Sequence, residues 1–116
     1  MKIRLNKKPR KFKVGIKKII LKDFGKIYLN NDEQLTFLKK KSEYDIVKKS
    51  WGYYATPSVN KRLKKFNFRT FLTKNTSKLI FIMLVHKEKM REFKTYLKNE
   101  KIKIIKEITK GCHKHD

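Results

Sequence analysis

Residues 68–98, FRTFLTKNTSKLIFIMLVHKEKMREFKTYLK, have the clearest succession of strand, turn and helix patterns in the chain. They predict a strand over 68–73, a polar turn over 74–77 and a second strand over 79–85. Because residues 79–85 are apolar on both faces, we expect them to form a buried central strand. Residues 87–98 then place Met90, Phe93 and Leu97 on one stripe, which is typical of an amphipathic helix.

The residues before this stretch predict further strands joined by turns. Alternating apolar residues from Phe12 indicate a first strand, and Asp23-Phe24-Gly25 indicates a hairpin turn in which Gly25 supplies a positive φ. The same tripeptide occurs in protein kinases, but the chain has none of their other motifs, so we interpret it as a turn. A second turn is expected at 30–32, and further strands at 19–21, 26–29, 34–38 and 44–48.

A short basic helix is predicted over about 57–66. Thr56 is a suitable N-cap and Pro57 a suitable first helical residue. Residues 102–108 fit either a strand or a continuation of the preceding helix, and we favour the strand. The sequence therefore predicts a single α+β domain at 12–109, with a mostly antiparallel sheet of about five to seven strands and two helices. A basic N-terminal arm at 1–11 and a flexible tail at 110–116 complete the expected organisation.

The charge balance predicts a polyanionic partner. The 116 residues include 33 Lys or Arg and only 10 Asp or Glu, giving a formal net charge of +23. AT-rich codon usage would supply lysines without selection for binding, but it would not remove carboxylates. Residues 1–22 hold ten cations and no acid, and the remainder is also strongly basic. Nucleic acid, which binds cations through counterion release, is the commonest cellular polyanion.

The segment 51–69, WGYYATPSVNKRLKKFNFR, is the leading candidate for a binding site. Its aromatic residues would stack on bases, while five cations between 61 and 69 would contact phosphates. The alternative is that Trp51, Tyr54, Phe66 and Phe68 belong to the core. Combined with the basic arm, the candidate nucleic-acid-binding residues are Lys7, Lys8, Arg10, Lys11, Trp51, Tyr53, Lys61, Arg62, Lys64, Lys65 and Arg69.

Residues that would support an enzyme are not grouped in the sequence. The four glycines are scattered and form no phosphate loop, and no Ser or Thr has a neighbouring His and carboxylate. Cys112, His113 and His115 lie close together, but a closed zinc site needs four ligands. We therefore expect no catalytic residues, no metal and no cofactor. A single cysteine excludes a disulfide framework and indicates a reducing compartment, the cytoplasm or an organelle matrix.

The combined expectation is a small basic protein that binds nucleic acid, RNA rather than DNA, through sequence-independent phosphate contacts. It would be a non-enzymatic component of a ribonucleoprotein. Lysine outnumbers arginine 28 to 5, which favours phosphate contacts over base readout. Two alternatives stay open: an interaction module for an acidic protein or an anionic membrane surface, and a small domain that binds an anionic metabolite. No apolar run is long enough for a transmembrane segment.

Overall fold

A computed structural model describes residues 1–110. Its mostly antiparallel strands and two α-helices confirm the α+β class. The elements, in chain order, are β1 (Lys2–Val14), β2 (Ile19–Tyr28), β3 (Gln34–Lys39), β4 (Ser42–Lys49), β5 (Gly52–Ala55), α1 (Arg62–Lys65), β6 (Phe68–Lys74), β7 (Ile80–His86), a 3₁₀ turn (Lys87–Lys89), α2 (Met90–Glu100) and β8 (Lys103–Glu107). The strands divide among three sheets, β1-β2, β3-β4-β5 and β7-β6-β8, rather than forming one sheet. Neither helix of residues 1–110 has the length and apolar character needed to cross a bilayer.

The chain divides into two compact units. The first contains Met1–Thr36 and Asp45–Thr56, and the second contains Phe37–Tyr44 and the residues from Pro57 onward. The predicted tail, including Cys112, His113 and His115, lies beyond the described residues except for Lys110.

In the first unit, β1 and β2 form a long two-stranded ribbon. They pair antiparallel from Lys2 opposite Tyr28 to Val14 opposite Ile19. Residues 2–11, expected as a separate basic arm, are therefore part of β1. The hairpin turn predicted at 23–25 is wrong, because Asp23 and Gly25 lie inside β2.

The turn of the ribbon is instead formed by residues 15–18. Gly15 and Lys18 both have positive φ values, 77° and 53°, and the Lys18 N–H donates to the Gly15 carbonyl oxygen at 3.2 Å. Gly25 pairs with Leu5 and Asp23 pairs with Arg10. Between these two pairs β2 has one residue and β1 has four, so β1 bulges by three extra residues. Pro9 lies in this bulge, which suits a residue that has no N–H to donate to a ladder.

The second unit is built on the sheet β7-β6-β8, with β6 at its centre. The expectation that 79–85 would be the central strand is therefore wrong, because β8 pairs with the other edge of β6. The core lies along β6 and under α2, where the Phe71 and Phe93 rings are 5.3 Å apart and Leu97 is buried. Ile80 and Ile82 of β7 remain exposed despite their apolar side chains.

The predicted helix over 57–66 is much shorter in the structure and is not capped by Thr56. The Thr56 N–H donates to the Asp45 carbonyl oxygen at 3.0 Å, and its hydroxyl donates to the Asp45 carboxylate at 3.1 Å. These bonds hold Thr56 beside β4 and away from a capping position. Only Arg62–Lys65 forms a helix, which the fully buried Leu63 anchors. The strand favoured at 102–108 is confirmed as β8. It follows Lys101, whose left-handed conformation ends α2.

Candidate nucleic-acid interface

The two faces of the β1–β2 ribbon differ in chemistry. Successive side chains of a strand point to opposite faces. The register therefore assigns each paired residue of the ribbon to one face, and the alternation along β2 places Phe24, which has no partner in β1, on the same face as Lys22 and Lys26. The apolar face carries Ile3, Leu5, Phe12, Val14, Ile19, Leu21 and Ile27, together with Arg10 and Asp23. The basic face carries Lys2, Arg4, Lys11, Lys13, Lys22 and Lys26, together with Ile20, Phe24 and Tyr28.

The basic face is an exposed cationic surface with aromatic residues between the charges. All six of its cations are exposed, and none of the residues that the register places on this face is a carboxylate. Phe24 and Tyr28 are 52% and 50% exposed, and the Arg4 guanidinium lies 5.7 Å from the centre of the Tyr28 ring. Along β2, Lys22, Phe24, Lys26 and Tyr28 follow one another at intervals of about 6.7 Å. A polynucleotide strand, which alternates phosphates and bases, matches this alternation.

The four site residues predicted in the arm have different environments. Lys11 belongs to the basic face, and Lys7 and Lys8 are exposed in the bulge of β1. Arg10 is on the apolar face, where its guanidinium bonds the Asp23 carboxylate at 3.1 Å and lies 4.7 Å from the centre of the Phe12 ring. Arg10 therefore makes an ion pair with Asp23 across the ribbon on the face opposite to the lysines, although its side chain stays largely exposed.

Asp23 is fixed by its own neighbours. Its carboxylate accepts the Gly25 N–H at 3.0 Å and the Arg10 guanidinium. The Gly25 bond first, and then the Arg10 bond and charge, hold the pKa of Asp23 below its usual range. The one carboxylate of the ribbon is thus neutralised on the apolar face and does not reduce the positive charge of the basic face.

The aromatic residues predicted for base stacking lie at the start of β5. Trp51 is 68% exposed, and its ring stacks against Tyr54 at 6.0 Å between centres. Tyr53 is also exposed, with the Lys48 ammonium 5.8 Å from its ring centre. The alternative interpretation as core is therefore wrong for Trp51 and Tyr54, whereas Phe68 is buried. Trp51 and Tyr53 belong to the same compact unit as the ribbon.

The predicted cations of residues 61–69 belong to the second unit. Lys61, Arg62, Lys64 and Lys65 are exposed on and beside α1. Arg69 is different, because its Nε and Nη2 donate to the two Glu107 carboxylate oxygens at 2.8 and 2.6 Å. The Arg69 bonds are the main cause that lowers the pKa of Glu107 to about 2, with a further bond from the Thr109 hydroxyl. Arg69 is thus engaged in an ion pair that joins β6 to β8.

Two groups of basic residues were missed by the sequence analysis. The first comprises the basic-face residues Lys2, Arg4, Lys13, Lys22 and Lys26, whose signal was the alternation of residues 20–28. The second comprises Lys39, Lys40 and Lys41 at the β3–β4 turn, which line a groove of about 410 Å³ in the second unit with Lys65 and His86. The sequence shows the run of three lysines, but it does not show that Lys65 and His86 lie beside them.

Comparison with known proteins gave no relatives. A scan against protein-family models found no match, and searches of curated proteins and of solved structures found none either.

Proposed function

We propose that this protein binds nucleic acid, RNA rather than DNA, through sequence-independent contacts between the basic face of the ribbon and the phosphates of a single strand. The observation that carries the proposal is the alternation of exposed cations and exposed aromatic rings on that face. Cations that follow the backbone and rings that stack on bases are the two elements of single-strand binding. RNA is favoured because unpaired bases are available mainly in RNA.

The chemistry of the cations supports binding that does not depend on sequence. Five of the six cations of the basic face are lysines, which act as point charges on phosphates. Recognition of guanine by a bidentate contact would favour arginine. Lys7 and Lys8 in the bulge would add phosphate contacts beside the face, and Trp51 and Tyr53 would offer further stacking surfaces in the same unit.

We expect the stability of the ribbon to depend on its ligand. An isolated two-stranded hairpin is marginally stable in water. Repulsion among six cations on one face weakens it further, and phosphate binding removes that repulsion. We therefore expect the amides of β1 and β2 to gain protection from hydrogen exchange when RNA binds.

The test compares two double variants of equal net charge. Lys22→Gln with Lys26→Gln removes two cations of the basic face, and Lys94→Gln with Lys98→Gln removes two exposed lysines of α2. Fluorescence anisotropy with a short labelled single-stranded RNA should show about tenfold weaker binding for the first variant at 0.1 M salt. The second variant should bind like the unmodified protein.

The outcomes separate the proposal from its alternatives. An equal loss of RNA affinity in both variants would mean that only net charge determines binding, and it would contradict binding by the ribbon. Binding to vesicles containing anionic lipid, with no binding to RNA, would favour a membrane surface. A loss that differs strongly among RNA sequences would contradict sequence-independent contact.

A further inference from the structure

The groove of the second unit concentrates positive charge in a small recess. Its volume is about 410 Å³, and it is lined by Lys39, Lys40, Lys41, Ser42, Lys65, Phe66, Asn67, His86 and Glu88. Four lysines from the β3–β4 turn and α1 thus face a single carboxylate, Glu88. The basic face of the ribbon carries its cations along two paired strands, whereas this groove has four lysines in the lining of one recess.

The lining residues are held in place by the fold. Asn67 has a left-handed conformation with φ of 65°, its N–H donates to the Lys64 carbonyl oxygen at 3.0 Å, and its own carbonyl oxygen accepts the Lys87 N–H at 2.7 Å. The His86 ring is 4.3 Å from the Phe68 ring, its partner across the β6–β7 ladder. Lys40 has a positive φ of 53° at the tip of the β3–β4 turn. The fold therefore fixes the backbone of the groove and the His86 ring, on which the exposed lysine side chains are mounted.

The surroundings of His86 favour the neutral form of its ring. Burial is the main cause that lowers the pKa of His86, and the charges of Lys39, Lys40 and Lys89 lower it further against the opposing effect of Glu88. A neutral imidazole can donate one N–H without adding repulsion among the lysines. An anion bound among these lysines would offset their positive charge and would therefore raise the pKa of His86.

We propose that this groove binds a phosphate monoester, belonging either to a free nucleotide or to the phosphorylated end of an RNA chain. A monoester carries between one and a half and two negative charges at neutral pH. A phosphodiester carries one, and its neighbours along the chain extend away from it. Four lysines in the lining of one recess match the compact, doubly charged group, and the exposed Asn67 side-chain amide offers a further donor. Phe66 supplies an apolar wall for the nucleoside.

Phosphate binding in the groove does not depend on the ribbon. The residues of the groove all lie in the second compact unit, whereas the basic face lies in the first. A variant of the ribbon should therefore leave phosphate binding in the groove unchanged, so that failure of one proposal is distinguishable from failure of the other.

The test follows the His86 imidazole by NMR while pH is titrated, with the signal assigned through His86→Gln. Millimolar inorganic phosphate or adenosine monophosphate should raise the pKa of His86 in the full chain. The double variant Lys40→Gln with Lys65→Gln should lose this rise, and Lys94→Gln with Lys98→Gln, of equal net charge, should keep it. Circular dichroism and the thermal midpoint show whether each variant is folded.

Two RNA ligands then identify the source of the monoester. If a 5′-phosphorylated oligonucleotide moves the His86 signal at lower concentration than adenosine monophosphate does, the ligand is the end of an RNA chain. If the order is reversed, the ligand is a free nucleotide. An unchanged His86 in millimolar phosphate would overturn the proposal. The second RNA ligand is the same oligonucleotide with a 5′-hydroxyl end, which has only phosphodiesters. If it moved the His86 signal as much as the 5′-phosphorylated oligonucleotide does, the proposal would also be overturned.

Discussion

Gly25 in β2 lies directly against the backbone of Arg4 in β1. A Cβ atom at Gly25 would be 1.9 Å from the Arg4 carbonyl oxygen, and Gly25 also has a φ of 138°, which residues with a side chain rarely adopt. This contact lies where β1 bulges and where the pairing of the two strands resumes at Leu5. The bulge thus depends on a residue without a side chain.

Gly25→Ala should disrupt the ribbon more than it affects the rest of the fold. Backbone strain of about 1–3 kcal/mol adds to a clash with a main-chain atom that cannot rotate away. Hydrogen exchange measured by NMR should show loss of protection in β1 and β2, with the amides of β6 unchanged. Gly52→Ala is the matched control, because Gly52 has a similar φ of 143° but a Cβ atom there would meet no other atom within 4 Å. Equal effects of the two substitutions on the ribbon would contradict the steric argument.

The Arg69–Glu107 pair should make stability depend on pH in the acid range. The pKa of Glu107 is lowered from 4.5 to about 2, so the stabilisation is complete above pH 4.5 and is lost as pH falls toward 2. Both side chains are about one third exposed, which limits the effect of Glu107→Gln to about 1 kcal/mol at pH 7.

Urea unfolding at several pH values measures this difference between the unmodified protein and Glu107→Gln. The difference should shrink as pH falls from 4.5 to 2. Glu92→Gln, which removes a more exposed pair between Glu92 and Lys89, should cost less at pH 7. A difference that stays constant down to pH 2 would show that the charge of Glu107 is not responsible.

Thr56 should stabilise the first unit through Asp45 rather than through a helix. Asp45 is only 5% exposed, and Thr56→Val removes a hydroxyl donor from its buried carboxylate, at a cost of about 1–3 kcal/mol. Thr56→Ser, which keeps the hydroxyl, should cost less. Ser58→Ala removes the exposed 3.4 Å contact to the Arg62 N–H and should change stability little. Thermal unfolding ranks the stabilities of the three variants. If Ser58→Ala lost more stability than Thr56→Val, a cap at the start of α1 would matter more than the bond to Asp45.

Phe24 should contribute to RNA binding without contributing to the fold. Its ring is exposed on the basic face, and loss of stacking on one base costs about 1–3 kcal/mol. Phe24→Ala should therefore weaken RNA binding about tenfold or more while the thermal midpoint changes little. Phe24→Tyr preserves an aromatic ring and should bind nearly as well as the unmodified protein. If Phe24→Leu binds as tightly as Phe24→Tyr, apolar contact rather than stacking is involved.

Local patterns in the sequence predicted the elements that depend on neighbouring residues. The strand at 68–73 and the helix after residue 87 are confirmed, because apolar periodicity determines which side chains can be buried. The polar turn of residues 74–78 is held by Asn75, whose side chain accepts the N–H groups of Ser77 and Leu79. Such bonds span a few residues and are therefore visible in the sequence.

The errors arose where distant residues decide the structure. Asp23 and Gly25 have the composition of a turn, but pairing with β1 places them inside a strand beside a bulge. Thr56 has the composition of a cap, but Asp45 takes its hydroxyl. The apolar run 79–85 resembled a central strand, yet β8 occupies the far edge of β6 and leaves β7 at an edge.

The excess of lysine predicts phosphate contacts, and the segment 51–54 predicts stacking on bases. Trp51 and Tyr53 are exposed, and both roles stay predictions. The alternation of residues 20–28 was present in the sequence, but the pairing that adds the β1 cations to the same face could not be predicted, because the unexpected turn at 15–18 establishes its register. The groove at Lys39–Lys41 likewise requires α1 and His86 to come near the β3–β4 turn.

The salt dependence of RNA binding reports how many phosphates the basic face contacts. The affinity for a short single-stranded RNA would be measured by anisotropy between about 50 and 200 mM salt for the unmodified protein and for Lys22→Gln with Lys26→Gln. If the six cations of the basic face contact phosphates, log affinity should fall with log salt with a slope of about −4, and the variant should reduce that slope by about 1.4. An unchanged slope in the variant, or no binding to RNA at 50 mM salt, would contradict the account.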